Sequence, residues 1–199
     1  MDMNTPLNTT AKYLRHQQQA SQNASQEHGD MSNVNMMSGH GEGLGEELAY
    51  HIVWIRTLSI WFQHAHWSTS GRTSYGDHLL YERIYNEISE EIDGLAEKAI
   101  GFTSTRTVDT HMHSKLLAEM LCAYPSPSRA DEATMIASTG LAIVNDYIDT
   151  VNETYKSLKS TGKMSMGLDD YFMALVNKLE GFVYLLKQRV QATLSNTMS

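Results

Sequence analysis

Cysteine is almost missing from this chain. Cys122 is the only one in 199 residues, which excludes a disulfide framework and any cysteine-based zinc or iron–sulfur site. Metal chemistry, if present, has to use histidine and carboxylate ligands, and a reducing compartment, the cytoplasm, is expected. Long apolar runs are missing too. No stretch approaches the roughly 20 residues that cross a bilayer, and the opening MDMNTPLNTT has no basic patch followed by an apolar segment, so neither a membrane span nor a secretory leader is expected. Basic charge is scarce: the formal net charge is −8, which argues against a surface that attracts phosphate backbones over its whole extent. Strand patterning is absent as well, since β-branched and aromatic residues never alternate with polar ones over a useful run. The length suits one compact domain plus a tail.

Residues 1–42 are dominated by Asn, Gln, Ser, Thr, Gly and Met without helical or strand periodicity, and they are expected to form a flexible polar tail. A helical domain should occupy residues 43–196. Its first helix carries Leu48, Ile52, Ile55, Leu58, Ile60 and Phe62 at spacings that make one broad apolar face. A short link around Gly71 and Gly76 returns the chain antiparallel. Tyr81, Ile84, Ile88, Ile92, Leu95 and Ala99 then recur every three or four residues up to Gly101, which predicts a continuous second helix of about seven turns.

From Phe102 to Pro127 the connection is too long for a hairpin, and HSKLLAEMLCAY within it predicts a short helix on a crossover. Ser128 with Asp131 resembles an acidic N-cap. The third helix follows through Ile136, Leu141, Val144, Ile148 and Val151 to near Gly162. The fourth begins around 168–170 and carries Phe172, Leu175, Leu179, Phe182, Leu185 and Leu186 inward. An all-α, ferritin-like four-helix bundle is predicted, with a long crossover containing a short helix between helices two and three.

Nine histidines supply the candidate ligands. None has a glutamate three residues before it, so the Glu-x-x-His pairs of intra-bundle di-iron proteins are missing. Helix two carries Asp93 and Glu97 one turn apart on one face. His78 lies on the same helix, and fifteen residues at ~1.5 Å each put it roughly 22 Å from Asp93. Two alternatives stand: the histidines and carboxylates are unrelated, or a metal is shared between two antiparallel copies of helix two across a twofold axis. At about 100° per residue, His78, Glu82, Asn86, Ser89, Asp93 and Glu97 fall within roughly a 100° arc. Such a stripe suits an isologous contact that creates the site twice per dimer, although most polar stripes on helices are solvated faces. His66 reaches His78 through the short link, whereas His64, about 200° round the helix from His66, points away.

The segments HWSTSGRTSYGDH and YERIYNEISEEIDGLAEKAIG resemble the Dps family, the DNA-binding proteins from starved cells or mini-ferritins. That family shows His-Trp, a glycine, a second His, then Asp-x-x-Ala-Glu at this spacing. The resemblance runs over roughly residues 44–195, more loosely in the last two helices. It implies that His66 and His78 of one subunit and Asp93 and Glu97 of its twofold mate are ferroxidase ligands, with Glu82 as a supporting acid. It further implies a homo-oligomer, a dodecameric shell built from twofold dimers. There Fe(II) is oxidised, preferentially by hydrogen peroxide, and stored as ferric mineral, which protects against oxidative stress. Imidazoles with carboxylates accept Fe(II) and favour Fe(III), and zinc would compete for the site.

Two departures from the family follow. Its DNA-binding members use a lysine-rich tail, whereas this tail sets Lys12 and Arg15 against Asp2, Glu27 and Asp30, so DNA binding is expected to be weak or absent. The family's iron-access pores are lined by carboxylates near the start of the last helix; Asp170, with Asp169, fits, but Met164 and Met166 stand where acids are expected. Trp67 and Tyr81 are expected to pack in the core rather than act as redox aromatics. His28, Met31, Met36, Met37 and His40 form a soft-ligand set in the tail that suits copper less well than simple solvation. His111 and His113 read as surface polarity. The competing classes are a structural or DNA-associated shell with little ferroxidase activity, and a zinc-binding or copper-binding protein.

Overall fold

The computed structural model describes residues 42–103, 108–130 and 133–196. They form α1 (Glu42–Trp67), α2 (Ser74–Ser89), α3 (Glu91–Phe102), α4 (Thr110–Cys122), a 3-10 turn (Pro127–Arg129), α5 (Ala133–Ser160) and α6 (Met166–Asn196), with no strand among the described residues. No described helix is long and apolar enough to cross a membrane. Most of the expected tail, including the His28 to His40 set, lies outside the described residues.

α2 and α3 together are the expected second helix, divided at Glu90, whose backbone stays right-handed (φ −63°, ψ −23°). Side chains compete for carbonyls of the helical ladder here. The Ser89 hydroxyl donates to the Tyr85 carbonyl, and the Lys178 ammonium of α6 donates to the Glu87 carbonyl at 3.1 Å, which is how polar groups bend a helix. Lys178 also pairs with Glu91 at 2.5 Å.

α1 is the centre of the bundle. Every residue from Leu48 to Ile55 is buried, so this stretch is enclosed all round rather than on the single face that its spacing suggests, because α2, α3, α4 and α5 all pack on α1. Phe172 of α6 reaches the His51 ring, with centroids 5.3 Å apart. The crossing with α5 is close at Gly140, where an added Cβ would lie 2.9 Å from the Phe62 ring. Ile60, Ile92, Leu141, Ile148 and Leu185 sit half-buried on the flanks, while Ile143 and Tyr147 take the centre of α5. These are small errors of helical phase that a 3.6-residue repeat tolerates.

α5 stops in a Schellman turn: Gly162 has φ +68°, Lys163 N–H donates to the Leu158 carbonyl (2.9 Å), and Gly162 N–H to that of Lys159 (3.2 Å). α4 begins with Asp109, whose carboxylate accepts from Met112 N–H at 2.8 Å. The cap expected from Ser128 and Asp131 lies partly outside the described residues, which do not include Asp131. Ser128 belongs to the 3-10 turn and its hydroxyl meets that of Ser126 at 2.9 Å.

Candidate metal centre

His66 is the penultimate residue of α1 and His78 lies early in α2. The link between them brings the two rings into a stack, with centroids 3.6 Å apart and planes at 27°. Each ring bonds the other residue's backbone: His66 Nδ1 to the His78 carbonyl at 3.0 Å, and His78 Nδ1 to the His66 carbonyl at 3.2 Å. A carbonyl only accepts, so both Nδ1 atoms carry hydrogen and both Nε2 atoms hold the lone pair in the neutral rings. This tautomer and second partner are what metal-ligating imidazoles use. His66 is buried and His78 half-buried, and the Tyr85 ring packs edge-on against His66 at 5.5 Å.

Asp77, the residue before His78, is the buried centre of a polar cluster with Thr73, which is exposed, and Arg189, which is half-buried. The Thr73 hydroxyl donates to Asp77 Oδ2 at 2.8 Å; Arg189 of α6 donates from Nε to Asp77 Oδ1, and from Nη2 to Asp77 Oδ2 (3.0 Å) and the Thr73 hydroxyl (2.8 Å). Asp77 is only 2 % exposed. Hydrogen bonding to Asp77 raises the Arg189 pKa further above its ordinary value. Tyr81, one turn on, is a core residue whose phenol pKa is driven well up by burial and then by the Asp77 charge.

The carboxylates stand elsewhere. Glu82 is half-buried on α2, and Asp93 and Glu97 are exposed on α3. Among the described residues of one chain, no three His, Cys, Asp or Glu side chains gather into a group that could hold a metal. Asn86 is exposed as the stripe requires, but Ser89 turns inward to the Ser59 hydroxyl at 2.7 Å and leaves it. His64 is exposed, its ring 5.1 Å from that of Trp67. Trp67 itself is 64 % exposed, which overturns the expected core packing; it is the last residue of α1.

His113 also departs from expectation. It is buried, not surface polarity, whereas His111 is exposed. With Arg56, Asp93, Thr110 and Ser114 it lines a cavity of about 160 Å³ beside α3. Asp169 accepts from the Tyr155 hydroxyl at 2.6 Å and pairs with Lys159 at 3.5 Å, and the Tyr155 bond lowers its pKa. Asp170 is exposed. Sequence reasoning missed Asp77, Arg189 and the burial of His113. The acid beside His78 in GDH is a local signal, but Arg189 lies 112 residues from Asp77 and carries none.

No protein-family model matches the sequence, and no curated protein does. Solved structures do. A Dps protein from Bacillus brevis is 19% identical, with 78% of this chain and 99% of that chain covered at a TM-score of 0.64. Dps from Thermosynechococcus elongatus is also 19% identical, over 75% and 90% at 0.63. A Dps protein from Vibrio cholerae O1, described as a member of a broad superfamily of ferritin-like diiron-carboxylate proteins, is 14% identical over 81% and 99% at 0.64. At such identities the likeness shows the fold, which is the Dps-type ferritin-like bundle.

Proposed function

We propose that this chain, with its Dps-type ferritin-like fold, is an iron-storage and detoxification protein that oxidises Fe(II) at centres shared between twofold-related subunits. His66 and His78 of one subunit bind the ion through Nε2, Asp93 and Glu97 of the mate supply the anionic ligands, and Glu82 supports them. The carrying observation is the pair of reciprocal Nδ1–carbonyl bonds, which fixes both rings in the tautomer that a metal needs before any metal arrives. The separation of His78 from Asp93 along the α2–α3 rod is the reason for invoking a second copy.

Fe(II) is the substrate here, not a resident group. Two Fe(II) ions give one electron each to hydrogen peroxide, the O–O bond breaks, and two protons complete two waters, leaving two Fe(III). The carboxylates favour the ion of higher charge and the imidazoles keep affinity for the lower one. Ferric product then collects as mineral inside a homo-oligomeric shell, a dodecamer built from twofold dimers, in the reducing cytoplasm. Zinc competes for the same ligands. DNA binding is weak or absent, consistent with the net charge of −8.

The exposure of Asp93 and Glu97 in a single chain also fits a second reading, a structural or DNA-associated shell in which these acids form a solvated face. Adding Fe(II) and peroxide to metal-free protein separates the two. Fast oxidation that disappears in His78→Ala and Asp93→Ala, with native mass unchanged, is expected. Equal rates in these variants, or full activity in a monomer, would sink the ferroxidase reading, and gel shifts at rising salt would then test the DNA one.

A further inference from the structure

We infer that the Thr73–Asp77–Arg189 cluster, centred on the buried Asp77 carboxylate, is a positioning device that sets the His66 and His78 rings. This rests on the metal-site reading above and deepens it.

Packing holds α2 against α1 from Tyr81 onward, its ring 6.0 Å from that of Phe62, but in the first turn before it Asp77 is the one buried residue. The N-cap residue of α2, Thr73, makes no side-chain capping bond; the hydroxyl is instead given to Asp77 and receives Arg189 Nη2. The link before it turns through Gly71 at φ +78°, a conformation that resists side chains but transmits no alignment between helices. Alignment comes from α6. Arg189 places two roughly parallel N–H···O bonds on the two oxygens of Asp77, and a fork of this kind fixes direction as well as distance. Asp77 precedes His78 in the chain, so the rotation of α2 about its axis, set by the fork, decides where the His78 ring and carbonyl point. Both take part in the reciprocal bonds with His66, and such bonds weaken steeply once their angles are lost. The Asp77 carboxylate has each oxygen engaged, and the Arg189 side chain is 13% exposed. An apolar staple would hold two helices together equally well. What the ionic fork adds is orientation.

The experiment reads the metal-free assembly by ¹⁵N NMR of the imidazoles, and Co(II) binding by titration. In the wild type, His66 and His78 each show one Nδ1–H tautomer. Arg189→Met and Asp77→Asn are expected to show tautomer averaging at both rings, with Co(II) affinity lowered about 10- to 100-fold. Arg189→Lys keeps the charge without the fork; it should recover thermal stability relative to Arg189→Met and still lose ring fixation. Leu179→Ala, a core change ten residues earlier on α6, is the control for general destabilisation and should leave both ring signals in place.

Retained single tautomers and unchanged Co(II) affinity in the Arg189 and Asp77 variants would overturn the inference, as would equal disturbance by Leu179→Ala. Fixed rings that loosen in Arg189→Met, in a protein that oxidises no iron, would uphold the positioning role and remove the ferroxidase reading.

Discussion

The two ends of α1 use histidine in opposite ways. His51, in the enclosed half of the helix, is fully buried between the rings of Tyr147 and Phe172, at 5.7 and 5.3 Å. Its Nε2 meets the Thr154 hydroxyl at 3.0 Å, and its Nδ1 is buried without a partner. Burial pulls its pKa down to about 3. His66, fifteen residues later, is also largely buried, yet its Nδ1 is occupied by a carbonyl and its ring is stacked on a second imidazole. Depth of burial therefore does not separate a core histidine from a candidate ligand. What separates them is which nitrogen is satisfied and what lies beyond the other.

The sharpest way to break this comparison is to remove each ring. His66→Ala should abolish fast Fe(II) oxidation, while costing only about 1–3 kcal/mol of stability for the lost bonds and packing. His51→Ala should behave in reverse, losing about 2–4 kcal/mol from a cavity in the bundle centre and leaving the oxidation rate per assembled subunit within about twofold of wild type. Denaturant titration and stopped-flow oxidation on the same preparations check both. Parallel losses in both assays for both variants would erase the distinction.

Acid should sharpen it next. Between the ordinary histidine value of 6.5 and the folded value of about 3, the unfolded chain holds a proton on His51 that the folded chain does not. Stability is thus lost as pH falls through that window, by at most about 1.4 kcal/mol per unit from this group. Glu47 and Asp146, whose pKa values burial raises, act in the opposite sense just above their ordinary values. The effect is therefore read as a difference: the stability gap between wild type and His51→Leu should shift by this slope from pH 6.5 downward. A constant gap would mean that His51 is not neutral in the folded chain.

Two smaller changes touch neither histidine environment. Gly162→Ala, at φ +68°, should cost about 1 kcal/mol. Removing the exposed Arg83–Glu87 pair, one helical turn long, should cost less than about 0.5 kcal/mol. Thermal melts check both, and neither variant should alter iron oxidation.

Much of this fold was legible locally. The i, i+3, i+4 recurrence located four long helices, because a helix in a bundle must bury a stripe at its own period. The long segment before Pro127 announced a crossover with its short helix for a related reason: a connection of that length has apolar residues of its own to cover. The break at Glu90 was not legible, since it depends on Lys178 arriving from another helix. Nor were the exposure of Trp67 and the burial of His113, which are decided by which elements end or pack nearby. Within the candidate site, the approach of His66 to His78 followed from a short link, whereas Arg189 did not follow from anything near Asp77.

By itself the sequence determined the spacing of its apolar positions, the scarcity of cysteine and basic charge, and the offsets between two histidines and two acids. Those are properties of a one-dimensional string, and periodicity converts them directly into helices and faces. Tertiary structure decided which nitrogen of each ring is left over, which carboxylate is paired and which helix is enclosed. Hydrogen bonds and burial are set by groups brought together from distant parts of the chain, and no local pattern specifies what will arrive from the other side.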